Sequence, residues 1–281
     1  MTPAEAPDWR KLSREEVDRG LNNGQAVAGS ADIVAGWERR SVELRRRFPA
    51  HLDISYGPRE RNRIDFLKAR DGAPTLLFIH GGYWQTRAKE TFTLFAEGAL
   101  AHGINVALTG YTLAPDATLD QIVAEIHAAI DFLAAQLPAL GGDGKGIVVS
   151  GWSAGGHLTS MALSHPKVRA GVAISGIYDL EPIRHSYLNE KLGLDEAASR
   201  KNSPMMQTGG PLKPLSLVVG SAELPLLRKQ TADFAGHRAR YGLPVTYEEI
   251  AGADHFSIMD EIASASGRIT TLIRQLFDRT G

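Results

Sequence analysis

Cysteine is absent from all 281 residues, which excludes disulfides, thiolate metal sites and a cysteine nucleophile together. Excess charge of either sign is missing as well: 31 Lys and Arg stand against 32 Asp and Glu, for a net charge of −1. Without a basic surplus the chain has no general electrostatic hold on nucleic acid or an anionic membrane. The run Arg45-Arg46-Arg47 is too short for a basic arm and reads as a solvated helix face. Long apolar runs are also lacking, and stretches such as 75–79 are far below the length that spans a bilayer. The opening MTPAEAPDWR carries acids and prolines where a signal peptide needs a basic start and an apolar run. No internal repeat or low-complexity tract is visible. The expectation is a cytoplasmic protein with no nucleic-acid or membrane partner; assembly is open, a homodimer being one option.

What is present is ordinary for a globular chain, at 43% hydrophobic and 22% charged residues, and the length suits one large core. Residues 1–50 are polar, with helical spacing over 13–23 and 31–48 (Ile33, Val34, Trp37, Val42, Leu44, Phe48). Their apolar faces are thin, so they read as an N-terminal helical cap or lid on a single domain. From residue 52 short apolar runs alternate with helical stretches. Strands are expected at 52–56, 64–68, 75–79, 106–109, 147–150, 172–175, 215–219 and 245–249, with helices at 90–102, 119–137, 154–165 and 225–241. This alternation implies an α/β fold with a mostly parallel eight-stranded sheet flanked by helices. The first two strands lack a helix between them and read as an antiparallel edge hairpin. Residues 177–214 suit an insertion over the active face.

The strongest chemical signal is Gly151-Trp152-Ser153-Ala154-Gly155-Gly156-His157, between an expected strand and an expected helix. A serine on so sharp a turn needs small neighbours, and the helix N-terminus behind it favours developing negative charge. Ser153 is therefore the expected nucleophile. A hydroxyl needs a base, and His255, in Ala251-Gly252-Ala253-Asp254-His255-Phe256 after the last strand, has the best setting of nine histidines. His157, one turn beyond the serine, reads as packing or orienting. The third member should follow strand 215–219, where Glu223 is the only carboxylate of Val219-Gly220-Ser221-Ala222-Glu223-Leu224-Pro225. Asp254 competes but adjoins the base in sequence, and neighbours seldom point at each other. In His80-Gly81-Gly82-Tyr83-Trp84 the glycines free backbone N–H groups to point inward, so Gly81, Gly82 and Ala154 are the expected oxyanion donors. Tyr83, Trp84 and Trp152 are candidates to line an aryl pocket, with Trp152 equally readable as core beneath the turn; Tyr178 and Tyr187 are weaker candidates. His80 stands without a partner at metal-ligand spacing, so neither metal nor organic cofactor is expected.

HGGYW, Tyr111-Thr112-Leu113-Ala114-Pro115, GWSAGGH, Ser175-Gly176-Ile177-Tyr178-Asp179-Leu180 and the terminal GADHF together resemble the kynurenine formamidase (arylformamidase) branch of the α/β-hydrolases. That branch lies close to the hormone-sensitive-lipase-like esterases. The resemblance runs from about residue 52 to the C-terminus. It implies the α/β-hydrolase fold, the triad Ser153, Glu223 and His255, and oxyanion donors at Gly81, Gly82 and Ala154. The family's acid is usually aspartate followed by Ser-Pro, whereas Glu223 precedes Leu-Pro. The implied substrate is a small-molecule N-formyl aryl amide. A short-acyl carboxylic ester is the competing substrate, and a catalytically inactive binding module is the competing class.

Overall fold

Runs of Val, Ile and Leu make strands that can be covered on both faces, and here eight of them form one sheet in the order β1-β2-β4-β3-β5-β6-β7-β8. They are β1 (Ile54–Ser55), β2 (Arg63–Leu67), β3 (Ala73–Ile79), β4 (Asn105–Thr109), β5 (Gly142–Trp152), β6 (Val168–Ile174), β7 (Leu215–Gly220) and β8 (Val245–Ile250). The structure, a computed structural model, describes residues 7–207 and 211–280; residues 1–6 of the expected cap and 208–210 of the expected insertion lie outside the described residues. β1 and β2 form the expected antiparallel hairpin, β2 runs antiparallel to β4, and all pairings from β4 through β8 are parallel. This is the α/β-hydrolase arrangement.

The helices are α1 (Arg14–Leu21), α2 (Asn23–Ala26), α3 (Ser30–Arg47), α4 (Glu97–Ala101), α5 (Leu119–Leu140), α6 (Ala154–Ala162), α7 (Glu181–Arg184), α8 (Asn189–Leu192), α9 (Glu196–Asn202), α10 (Pro225–Arg240), α11 (Asp260–Ala263) and α12 (Arg268–Thr280). Strand side chains alternate between two cores, as the pleat requires. Leu77, Val149 and Leu217 pack on one face with residues of α5, α6 and α10. Leu76, Val148 and Val218 pack on the other with residues of α3 and α12. Short helices α7 to α9 occupy the segment read as an insertion.

Three elements depart from the sequence reading. Helix α5 runs to Leu140, beyond the expected 137, from a Thr118–Gln121 capping box to Gly141 at φ 90°. By length and composition it could cross a membrane, contrary to the expectation from the uninterrupted apolar runs, yet Ile122, Ile126, Ile130 and Leu133 bury one face against the sheet. The helix expected over 90–102 is 3₁₀ from Lys89 to Ala96 and becomes α only at α4. Ser41 of α3 explains this: its hydroxyl donates to Thr91 O (2.8 Å) and accepts from Leu94 N (3.0 Å), intercepting an amide that an α-helix would use internally. Finally, α3 belongs to the core itself. Trp37 meets Phe95 edge-on at 4.9 Å and Trp152 at 5.6 Å.

Ion pairs pin α3 to the sheet edge. Asp65 of β2 is 0% exposed and bonds Arg45, Lys89 Nζ (2.8 Å) and the Asp53 amide (2.8 Å). Asp53, Asp65 and Glu90 converge as a metal site would, but the Lys89 ammonium sits among them, 2.6 Å from Asp53 and 2.6 Å from Glu90.

Candidate active site

The turn that carries Ser153 is built from three glycines. β5 ends at Trp152, Ser153 adopts φ 58°, and α6 starts at Ala154. A Cβ on Gly151 would lie 2.3 Å from Gly155 O, and one on Gly155 would lie 2.0 Å from Ile79 O. A Cβ on Gly156 would approach the Gly176 Cα to 2.9 Å. Only hydrogen fits at these points, and a positive φ at a non-glycine residue is the kind of strain that concentrates at functional sites. The Ser153 amide donates to Ile174 O (2.8 Å), fixing the crest of the turn to β6. Ala154, as first residue of α6, has an amide with no intrahelical partner.

The loop after β3 lies directly against that crest. A Cβ on Gly81 would stand 2.6 Å from the Trp152 ring and 3.1 Å from the Ser153 Cβ. Gly82, Tyr83 and Trp84 take φ values of 112°, 51° and 58°, a left-handed turn held by Gln85 N and Thr86 N on Gly82 O at 3.0 Å each. His80 is locked by a Nδ1–H bond to Gly81 O (2.8 Å) and by stacking on Tyr111 at 4.3 Å. Burial lowers its pKa to about 4, so it is a neutral support for the loop.

His255 and Glu223 arrive on two neighbouring loops, after β8 and β7. Ser221 N donates to Ile250 O (2.9 Å) and Ala222 N to Ala253 O (2.9 Å), while a Cβ on Gly220 would lie 2.1 Å from Ala253 O. The result is a bond of 2.7 Å between His255 Nδ1 and Glu223 Oε2, with both side chains buried. The other carboxylate oxygen accepts from Ser175 Oγ (2.6 Å) and from Gly220 N (2.7 Å). With Nδ1 occupied, Nε2 is the nitrogen left for a proton acceptor's role. Trp152 ties this assembly to the serine: its ring lies 4.6 Å from the His255 ring, and its Nε1–H donates to His255 O (2.8 Å). Asp254 does not reach the imidazole. Its carboxylate accepts from Phe256 N and Ser257 N, both at 2.8 Å. Burial works to raise its pKa, but those amides hold it below the usual carboxylate range.

The aromatic candidates divide. Trp152 is 4% exposed and packs with Trp37, Phe92 and Phe256, so it is core beneath the turn and not open pocket lining. Trp84 is 0% exposed, because the left-handed turn directs its indole inward against His157 (5.0 Å, edge-on). Tyr83 stays half-buried; its phenol donates to Leu21 O (2.5 Å) and accepts from Asn23 Nδ2 (3.2 Å). Tyr178 is buried and stacked on Phe234 at 4.6 Å, whereas Tyr187 is surface-exposed. His157 bonds Asn202 O (2.7 Å) with a pKa lowered by burial to about 4, which fits packing. A cavity of about 470 Å³ opens beside His255, lined by Asn23, Val27, Glu223, Leu224, Asp254 and His255 among others. The sequence reading missed Ser175 and Asn23. In the sequence Ser175 stands out only as part of the 175–180 motif, and Asn23 carries no local signal.

Residues 66–198 match the BD-FAE family. The kynurenine formamidase of Danio rerio is 27% identical over 97% of this chain and 99% of its own length. That of Salmo salar is 26% identical with the same coverage. The crystal structure of a candidate thioesterase from Silicibacter sp. TM1040 superposes with a TM-score of 0.83 at 27% identity, over 92% of this chain and 99% of that one. The chain is thus a hydrolase enzyme with the α/β-hydrolase fold, similar over nearly its whole length to kynurenine formamidases.

Proposed function

We propose that the protein hydrolyses a small N-formyl aryl amide through a Ser153–His255–Glu223 triad. The observation that carries this reading is the 2.7 Å bond from His255 Nδ1 to buried Glu223, on a loop that the indole of Trp152, next to Ser153, grips from below. Ser153 Oγ adds to the formyl carbon while His255 Nε2 takes its proton. The negative oxygen faces the amides of Gly81, Gly82 and Ala154, each such donor being typically worth about 3 kcal/mol in the transition state. The C–N bond then breaks, the amine leaves with the proton from His255, and a formyl ester remains on Ser153. Water repeats the attack, activated by the same imidazole.

Similarity to kynurenine formamidases across nearly the whole chain supports a formyl group on an aryl amine as the substrate class. The test compares turnover of formanilide with that of p-nitrophenyl acetate and butyrate. The expected result is formanilide turnover well above background that vanishes in Ser153→Ala, together with organophosphonate labelling that the same substitution abolishes. Ester turnover with formanilide at background would replace the reading with a short-acyl carboxylesterase.

A further inference from the structure

We propose that Asn23, at the start of α2, positions the leaving group: its side-chain oxygen accepts a hydrogen bond from the N–H of an amide substrate and so favours formamides over the matching formate esters. The inference rests on the triad reading above and deepens it. Asn23 is 5% exposed and lines the same cavity of about 470 Å³ as Glu223 and His255. Its amide can face only one way. The Tyr83 phenol has a single proton, which it gives to Leu21 O at 2.5 Å, so toward Asn23 it can only accept. Burial, then the charges of Tyr187 and Glu223, raise the phenol's pKa and keep that proton in place. Nδ2 therefore points to Tyr83, at 3.2 Å, and Oδ1 points away from it.

That oxygen is buried and has no partner among the described residues. A buried acceptor left unpaired is costly and uncommon in a folded chain, and one on a residue that walls the cavity beside the base marks where a ligand's donor belongs. The chemistry supplies such a donor. Once Ser153 has added to the formyl carbon, the amide nitrogen is pyramidal, and its lone pair must face the protonated Nε2 of His255. Its N–H then points away from the imidazole, toward the cavity wall. An ester oxygen at that place has no hydrogen to offer, so the Asn23 oxygen lowers the barrier for amides selectively.

The test measures kcat/KM for formanilide and for phenyl formate, which differ only in N–H against O, in the wild type and in Asn23→Ala. The ratio of the two values is used because it is independent of how much enzyme is folded. A fall of about 10- to 100-fold in the amide-to-ester ratio is the expected result. An unchanged ratio, whether both rates drop together or neither moves, overturns the inference and leaves Asn23 as a tether for Tyr83. Asn23→Ser, which keeps a small polar side chain, serves if Asn23→Ala yields no folded protein, and the same fall in ratio is expected. Formanilide at background in the wild type, with esters turned over, overturns the formamide reading and this inference with it.

Discussion

Ser175 holds one oxygen of the Glu223 carboxylate at 2.6 Å while His255 takes the other at 2.7 Å, so the orientation of the imidazole depends on a residue far from it in sequence. Removing that hydroxyl in Ser175→Ala is expected to lower kcat/KM about 10-fold, the scale of a hydrogen bond to a charged group. An unchanged kcat/KM in Ser175→Ala would assign Ser175 to packing alone. Glu223→Gln offers His255 no anion and is expected to cost about 10³-fold or more in kcat. Asp254→Asn is expected to cost far less, because that carboxylate is occupied by its own turn. Of these residues, Ser153, His255 and Glu223 could be found from sequence, since each follows a strand end at a place that strand-turn chemistry singles out. Ser175 could not: it meets Glu223 only because β6 and β7 are neighbours and its backbone takes φ 51°. Asn23 escapes for a similar reason, since a polar residue in a polar stretch signals nothing until the fold brings it into the cavity that Glu223 and His255 line.

Among the elements, the strands were the most readable, because burial on both faces of a sheet demands uninterrupted apolar side chains. The apolar spacing of the expected 90–102 helix suits either helix type, and the hydroxyl that makes Lys89–Ala96 a 3₁₀ helix comes from Ser41 on α3. The spacing of α3 suggests a thin cap, yet Val34, Trp37 and Leu44 enter the second core. Its other anchorage is electrostatic, through Arg45 and Lys89 on the buried Asp65. Asp65→Ala would leave two cations beside an apolar sheet edge with their principal partner gone. An expected loss of about 3–5 kcal/mol follows from breaking a buried ion pair from one side, measured as the fall in unfolding free energy from urea titration. Activity per folded molecule should persist, since this cluster lies apart from the Ser153 turn.

At the scale of the molecule, His80 and His157 couple stability to acidity. Burial depresses both to a pKa of about 4, against an ordinary value of 6.5. Below pH 6.5 the unfolded chain takes up protons that the native state refuses. Stability is therefore complete above that pH and drains away as pH falls toward 4, by roughly 3 kcal/mol per histidine at the limit. The urea midpoint should be clearly lower at pH 5 than at pH 7.5, and His157→Gln should flatten that dependence. An equal midpoint at both pH values would show that these imidazoles are not held neutral by burial. The indole of Trp152 has a consequence of a different kind. It stands one peptide from Ser153, lies on the imidazole at 4.6 Å and clasps the backbone of His255 at 2.8 Å. Thermal breathing of either loop must carry the other along, so heating should leave the reacting pair in step until the whole domain melts. Residual activity and far-ultraviolet circular dichroism should then be lost at the same temperature.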